Sequence, residues 1–175
     1  MAINPGKRFE QNFQNSVDKE TIFFHRLKDG STRTAPDGSQ VRLKNKNVCD
    51  FILFLENRLV LVELKSFLGK SMSFKNIKQK KEDQEEFLKK LIFESRKENV
   101  EAYMILNFRN YEKTLAIEIN TFYEYYTNTT RESIDIEKAF ELGFLIPETK
   151  KQVNSVYEIE VLFKEIKETP VYKLI

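Results

Sequence analysis

Residues 50–65 read DFILFLENRLVLVELK. Two apolar runs, 50–55 and 59–64, flank a short polar break, Glu56-Asn57-Arg58. Runs of that length around a break predict a β-hairpin. A two-residue loop of Glu56 and Asn57 pairs Leu55 with Arg58 and, counting outward, Asp50 with Glu63. Directly opposed side chains have Cβ atoms about 5 Å apart, where two carboxylates repel. A chain tolerates such a pair if the site is solvated, if one carboxylate is protonated, or if a cation lies between them. Lys65, two residues past Glu63, projects from the same face of the strand. A three-residue loop would pair Asp50 with Leu64 instead, so register decides whether Asp50, Glu63 and Lys65 converge at one sheet edge.

Two carboxylates with few other ligands suit a hard cation such as Mg²⁺, which keeps several waters. A metal-bound water beside an ammonium group is a nucleophile suited to phosphodiester hydrolysis. The plainer reading is a surface charge pair at a strand end, and an isolated E-x-K triplet is most often that.

The flanking sequence builds a domain around the hairpin. Residues 7–17 read as a helix, with Phe9, Phe13 and Val17 on one face. Residues 20–27 read as a strand carrying His25, a structural or exposed imidazole by default. Residues 28–47 read as a long loop with turn signals at Asp29-Gly30 and Pro36-Asp37-Gly38. Residues 71–97 read as a loop and a long helix, on which Gln84 shares the apolar stripe of Ile77, Leu88 and Leu91. A buried amide there needs partners. Strands follow at 101–107 and 114–120, and an aromatic helix at 121–126. Phe122–Tyr126 reads as core or interface before it reads as a base-stacking surface. A helix at 135–142 ends on Gly143 as a C-cap. Residues 155–167 read as a last helix through Val156, Ile159 and Phe163, with strand as the alternative. The order predicts a mixed α/β (α+β) fold, a central sheet with helices packed on it, in a single domain spanning 1–175.

Composition removes several classes. One cysteine excludes a disulfide framework and a cysteine-based zinc site. Cys49 reads as a small apolar filler. One histidine excludes a multi-histidine metal site and leaves little room for a Ser-His-Asp triad. No apolar run approaches the roughly 20 residues of a membrane span. The first 14 residues lack an apolar signal core, so the expected compartment is the cytoplasm. The net charge of +2 hides an asymmetry: +1 over residues 1–27, +7 over 28–81 and −6 over 82–175. A basic middle segment suits a polyanion, because each neutralised phosphate releases counterions. Its candidate phosphate contacts are Arg33, Arg42, Lys44, Lys46, Lys70, Lys75 and Lys78, with Arg8 on the first helix.

Taken together, these residues resemble the RecU family of Holliday-junction resolvases, within the PD-(D/E)XK nuclease superfamily. Asn4-Pro5-Gly6-Lys7-Arg8-Phe9-Glu10 is similar to the family's N-R-G-x-x-x-E helix, and Asp50 with Glu63-Leu64-Lys65 is similar to its D…E-x-K signature. Phe74-x-Asn76 followed by Gln84, the strand at 101–107, Phe122–Tyr126 and Ile146-Pro147 stand in matching order. The likeness covers roughly residues 4–148. The sequence departs from the pattern at Pro5, at Val48 and Cys49 before the Asp, and in a shorter basic stalk.

The resemblance implies a restriction-endonuclease-like mixed sheet and a Mg²⁺-dependent homodimeric endonuclease, with Mn²⁺ substituting. Such an enzyme nicks two strands of a four-way DNA junction. In this chain Asp50 and Glu63 would hold the metal, Lys65 would orient or activate water, Gln84 would support the site, and Glu10 would add an outer carboxylate. The stalk would be residues 28–47, and 149–175 a C-terminal extension. Partners would be branched DNA, a second copy, and recombinase or branch-migration proteins, with no membrane. The alternatives are a DNA-binding accessory protein without efficient cleavage and a related nuclease acting on other DNA structures.

Overall fold

A computed structural model describes residues 4–20, 22–27, 31–34, 40–43, 47–55, 57–75, 83–151 and 154–168. Helix α1, Pro5–Ser16, starts at Asn4, whose side chain accepts a 2.9 Å hydrogen bond from Gly6 N–H. Pro5 in the first turn suits the helix, because it removes a donor that has no partner there. Phe9, Phe13 and Val17 are buried on one face, as their spacing predicts.

Six strands form the central sheet: β1 (Phe23–Arg26), β4 (Phe51–Leu55), β5 (Arg58–Phe67), β7 (Val100–Phe108), β8 (Lys113–Glu118) and β10 (Phe144–Ile146), in that spatial order. β5 and β7 are parallel and every other neighbouring pair is antiparallel, so the sheet is mixed. Helix α2, Asp83–Ser95, lies in the crossover that the parallel pair requires. On its side of the sheet, Leu88 and Leu91 pack among Leu61, Met104, Leu106 and Phe122. The same core takes Ile119 and Phe122 of α3 (Ile119–Asn128) and Ile136 and Ala139 of α4 (Ile136–Leu142). The other face buries Phe51, Val60, Val62 and Ile105 against α1 and against Ile159, Leu162 and Ile166 of α5 (Ile159–Glu168). With both faces covered, β5 can be apolar almost without alternation. The observed architecture is the expected central mixed sheet flanked by helices.

Four local expectations change. Within residues 28–47 the structure holds an antiparallel hairpin, β2 (Ser31–Thr34) and β3 (Gln40–Leu43), with Ser31 opposite Leu43 and Thr34 opposite Gln40. Backbone pairing thus takes up the described part of the predicted loop. Lys44 and Lys46 lie outside the described residues, as does Lys78.

Gly143 is not a left-handed cap: its φ is −148°. It is needed for close approach, since a Cβ there would sit 2.1 Å from the Ala116 carbonyl oxygen of β8. Residues 155–167 divide into β12 (Asn154–Tyr157), paired with β11 (Glu148–Lys151), and then α5. Val156 is an exposed strand residue, while its neighbour Tyr157 stacks edge-on against Phe9 at 5.4 Å. Lastly, short strands β6 (Ser71–Ser73) and β9 (Ser133–Asp135) pair outside the main sheet, where no strand was expected.

Candidate active site

The hairpin register is the one that a two-residue loop demands: Leu55 pairs with Arg58 and Phe51 with Val62. Asn57 takes φ 68°, a left-handed conformation that Asn tolerates better than most residues. β4 begins at Phe51, whereas β5 continues five residues beyond its partner Val62. Asp50 therefore sits where β4 stops and the edge of β5 becomes free. Its Oδ2 accepts a 2.8 Å hydrogen bond from Leu64 N–H, which holds the carboxylate across that edge. Asp50 N–H donates to the Val62 carbonyl at 3.1 Å, which closes the ladder.

Glu63 is 6% exposed, and Lys65 Nζ donates to its Oε1. Burial pushes the Glu63 carboxyl up to about 8; Lys65 works against that shift, and the Asp50 carboxylate adds to it. Burial alone would lower the Lys65 ammonium, but Glu63 and Asp50 hold it above its ordinary value. Two carboxyl groups thus share one ammonium in a poorly solvated place, where burial and the Asp50 carboxylate make Glu63 harder to ionise than a free carboxyl.

That imbalance is the test for a divalent ion, and the residues fit one. Both donors are hard oxygens, and an ion between them would supply the missing positive charge. Among the described residues, no group of three or more His, Cys, Asp or Glu side chains could hold an ion. Asp50 and Glu63 are the side chains that could hold an ion there, and Mg²⁺ is a cation that tolerates so few protein ligands.

The other candidates lie around this centre or apart from it. Glu10 on α1 is ion-paired with Arg26 of β1, a partner that the sequence motif did not indicate, and its charge helps hold the Lys65 ammonium up. Gln84 is the second residue of α2, and its side chain lies outside what is described, as do those of Arg33 and Arg42. Arg8 is half-buried on α1. Lys70 and Lys75 are exposed and each faces a carboxylate, Glu137 at 2.6 Å and Glu132 at 3.6 Å.

Cys49 is buried beside the site, and its Sγ lies 3.1 Å from the Phe51 carbonyl as a weak donor. Burial pushes its thiol up to about 12, so it stays protonated. His25 is exposed on β1. Phe122 is fully buried, and Tyr123, Tyr125 and Tyr126 pack partly buried around it, which makes this segment core.

One line of polar residues went unread. Ser66 Oγ donates to Asn107 Oδ1 (3.0 Å), Asn107 Nδ2 donates to Thr114 Oγ1 (2.8 Å), and Thr114 Oγ1 donates to Glu148 Oε2 (3.0 Å). It ties β5 to β7 and β8 one residue past Lys65. The interruption of the apolar run of β7 by Asn107 is its only mark in the sequence.

The SPbeta prophage-derived uncharacterized protein YotM of Bacillus subtilis (strain 168) is 32% identical over 178 residues, covering 94% of this chain and 88% of that protein. Among solved structures, Hjc of Archaeoglobus fulgidus, a Holliday junction resolvase from an archaeal hyperthermophile, aligns with a TM-score of 0.49 and 16% identity. That alignment covers 80% of this chain and 95% of Hjc. The model of the family described as Recombination protein U (RecU) matches residues 6–161, and the chain belongs to that family.

Proposed function

We propose that this protein is a divalent-metal-dependent DNA endonuclease that resolves four-way junctions by hydrolysing phosphodiester bonds in two strands. The carrying observation is the pair Asp50 and Glu63 sharing the single ammonium of Lys65 where β5 runs on past β4, so that ionising both carboxyls there calls for a further cation. Membership of a recombination-protein family and the basic segment 28–81 support DNA as the substrate.

Asp50 and Glu63 would hold the ion, which when bound supplies Lewis-acid polarisation of a phosphoryl oxygen and a more acidic water. Lys65 remains an ammonium because both carboxylates stabilise its charge. It therefore donates rather than accepts protons: it orients the attacking water and offsets negative charge that develops on the phosphoryl oxygens. The Leu64 N–H bond fixes Asp50, so this carboxylate does not have to be ordered at each turnover. Mg²⁺ is the ion proposed, with Mn²⁺ able to replace it. Two such centres, one in each copy of a homodimer, would nick opposed strands of one junction.

The test is incubation of the protein with synthetic four-way junctions, linear duplex and single strands in Mg²⁺. Cleavage of the junction in paired strands is expected. It should stop with chelator and with Asp50→Ala. Salt-sensitive junction binding with no cutting in any metal would instead identify a binding protein that has kept the fold.

A further inference from the structure

Acidic residues from the C-terminal part of the chain fold back onto the basic segment. β6 and β9 pair antiparallel, with Ser71 opposite Asp135 and Ser73 opposite Ser133. This pairing sets the segment around β9 beside the loop that leaves β5. Lys70 Nζ lies 2.6 Å from Glu137 Oε1, and Lys75 Nζ lies 3.6 Å from Glu132 Oε2. All four side chains are between 55% and 81% exposed. Each member of the tighter pair acts on the other: Lys70 holds the Glu137 carboxyl below its ordinary range, and Glu137 holds the Lys70 ammonium above its own. Lys70 follows Lys65 by five residues, so it lies at most about 18 Å away along the chain.

Exposed pairs of this kind add little to folding stability. Their position matters more, because they engage two cations on the segment that leads away from the strand carrying Glu63 and Lys65. We propose that Glu132 and Glu137 mask a phosphate-binding surface formed by Lys70 and Lys75, and that these lysines exchange a carboxylate for a phosphate when DNA binds. The inference rests on the reading of the chain as a DNA endonuclease and adds a device to it.

The exchange has a thermodynamic signature. A free lysine that meets a phosphate releases a counterion, so binding weakens as salt rises. A masked lysine gives up its carboxylate, which then gathers a cation from solution. Net ion release at that contact is close to zero. The masked lysines therefore contribute almost nothing to the salt dependence and little to general affinity for duplex.

The experiment measures binding of the full chain to a fluorescent four-way junction and to linear duplex, in chelator so that no strand is cut, between about 50 and 200 mM salt. The double variant Glu132→Gln, Glu137→Gln should bind roughly two- to thirtyfold tighter at the midpoint of that range. The slope of log affinity against log salt should steepen by about two, one for each unmasked lysine. Adding Lys70→Ala and Lys75→Ala to that variant should erase both gains, whereas the same alanines in the wild type should change little.

Unchanged affinity and slope in the double variant would overturn the proposal. So would a gain that survives the alanines, since general loss of negative charge would then explain it. If no form of the protein binds DNA in a salt-sensitive way, the endonuclease reading itself falls.

Discussion

Strand β5 carries charge near both ends, and the two ends are built differently. At its start, Arg58 Nη1 donates to Glu101 Oε1 at 2.6 Å and to the Ile166 carbonyl of α5. Tyr103 O–H donates to the other oxygen of Glu101 at 3.1 Å. One cation meets one anion, and each has a further hydrogen-bond partner, the Ile166 carbonyl for Arg58 and the Tyr103 hydroxyl for Glu101. Such a cluster fixes strand to strand and strand to helix, and it asks for nothing more. Toward the other end, Asp50 and Glu63 share one lysine, and burial with the Asp50 charge raises the Glu63 carboxyl well above its ordinary range. Ionising both carboxyls beside one ammonium costs stability, which a bound cation would offset. Within one strand, charge balance distinguishes a self-contained structural cluster from one that has room for a further cation.

The largest effect expected from breaking this contrast is on catalysis. Asp50→Ala should lower junction cleavage by at least about a thousandfold, on the order of 4 kcal/mol of activation free energy. The melting temperature should move little, because the side chain is half-buried and alanine removes negative charge from a crowded site. Single-turnover cleavage in saturating Mg²⁺, read beside thermal melts, checks both statements. A cleavage rate within tenfold of the wild type would mean that the site lies elsewhere.

Arg58→Ala should show the opposite pattern. It leaves Glu101 half-buried without its cation and the last turn of α5 without a donor. A loss of about 3 kcal/mol is expected, or roughly 6–12 °C in melting temperature for a chain of this size. Cleavage per folded molecule should be unchanged at a temperature where the variant is fully folded. A variant that melts normally but cuts poorly would break the division between the two ends.

The convergence of Asp50, Glu63 and Lys65 was legible because it depends on local arithmetic. A two-residue break with Asn57 in its second place sets the register, and the register delivers Asp50, Glu63 and Lys65 to one edge. The buried faces of α1 and β5 were legible for the same reason, since their apolar spacing is short-range. What stayed hidden depends on distant partners. Arg26 reaches Glu10, Glu137 reaches Lys70, and Glu148 reaches Thr114, across stretches that no periodicity connects.

The three-residue strands β6, β9 and β10 are too short to show alternation. Gly143 imitates a helix cap in sequence, and only the Ala116 backbone beside it reveals its role. Val156, Ile159 and Phe163 keep helical spacing by coincidence across a strand end and a helix start.

The smallest effect expected comes from Glu63→Gln, and its sign sharpens the contrast. In metal-free protein the Glu63 carboxyl titrates near 8 when folded, against about 4.5 in the unfolded chain. The folded state therefore holds a proton that the unfolded state has already released. Stability from this group is fully present below about pH 4.5 and is lost as pH rises toward 8. Glutamine does not ionise and incurs no such loss. In chelator the variant should match the wild type at low pH and exceed it by on the order of 1–2 kcal/mol, a few degrees in melting temperature, at pH 8 and above. Added Mg²⁺ should raise the wild type and leave the variant nearly unmoved, because binding to the folded state stabilises it only where the site is whole. If Glu63→Gln is less stable than the wild type at pH 8 in chelator, Lys65 already balances the site, and the two ends of β5 do not differ in the way their charges indicate.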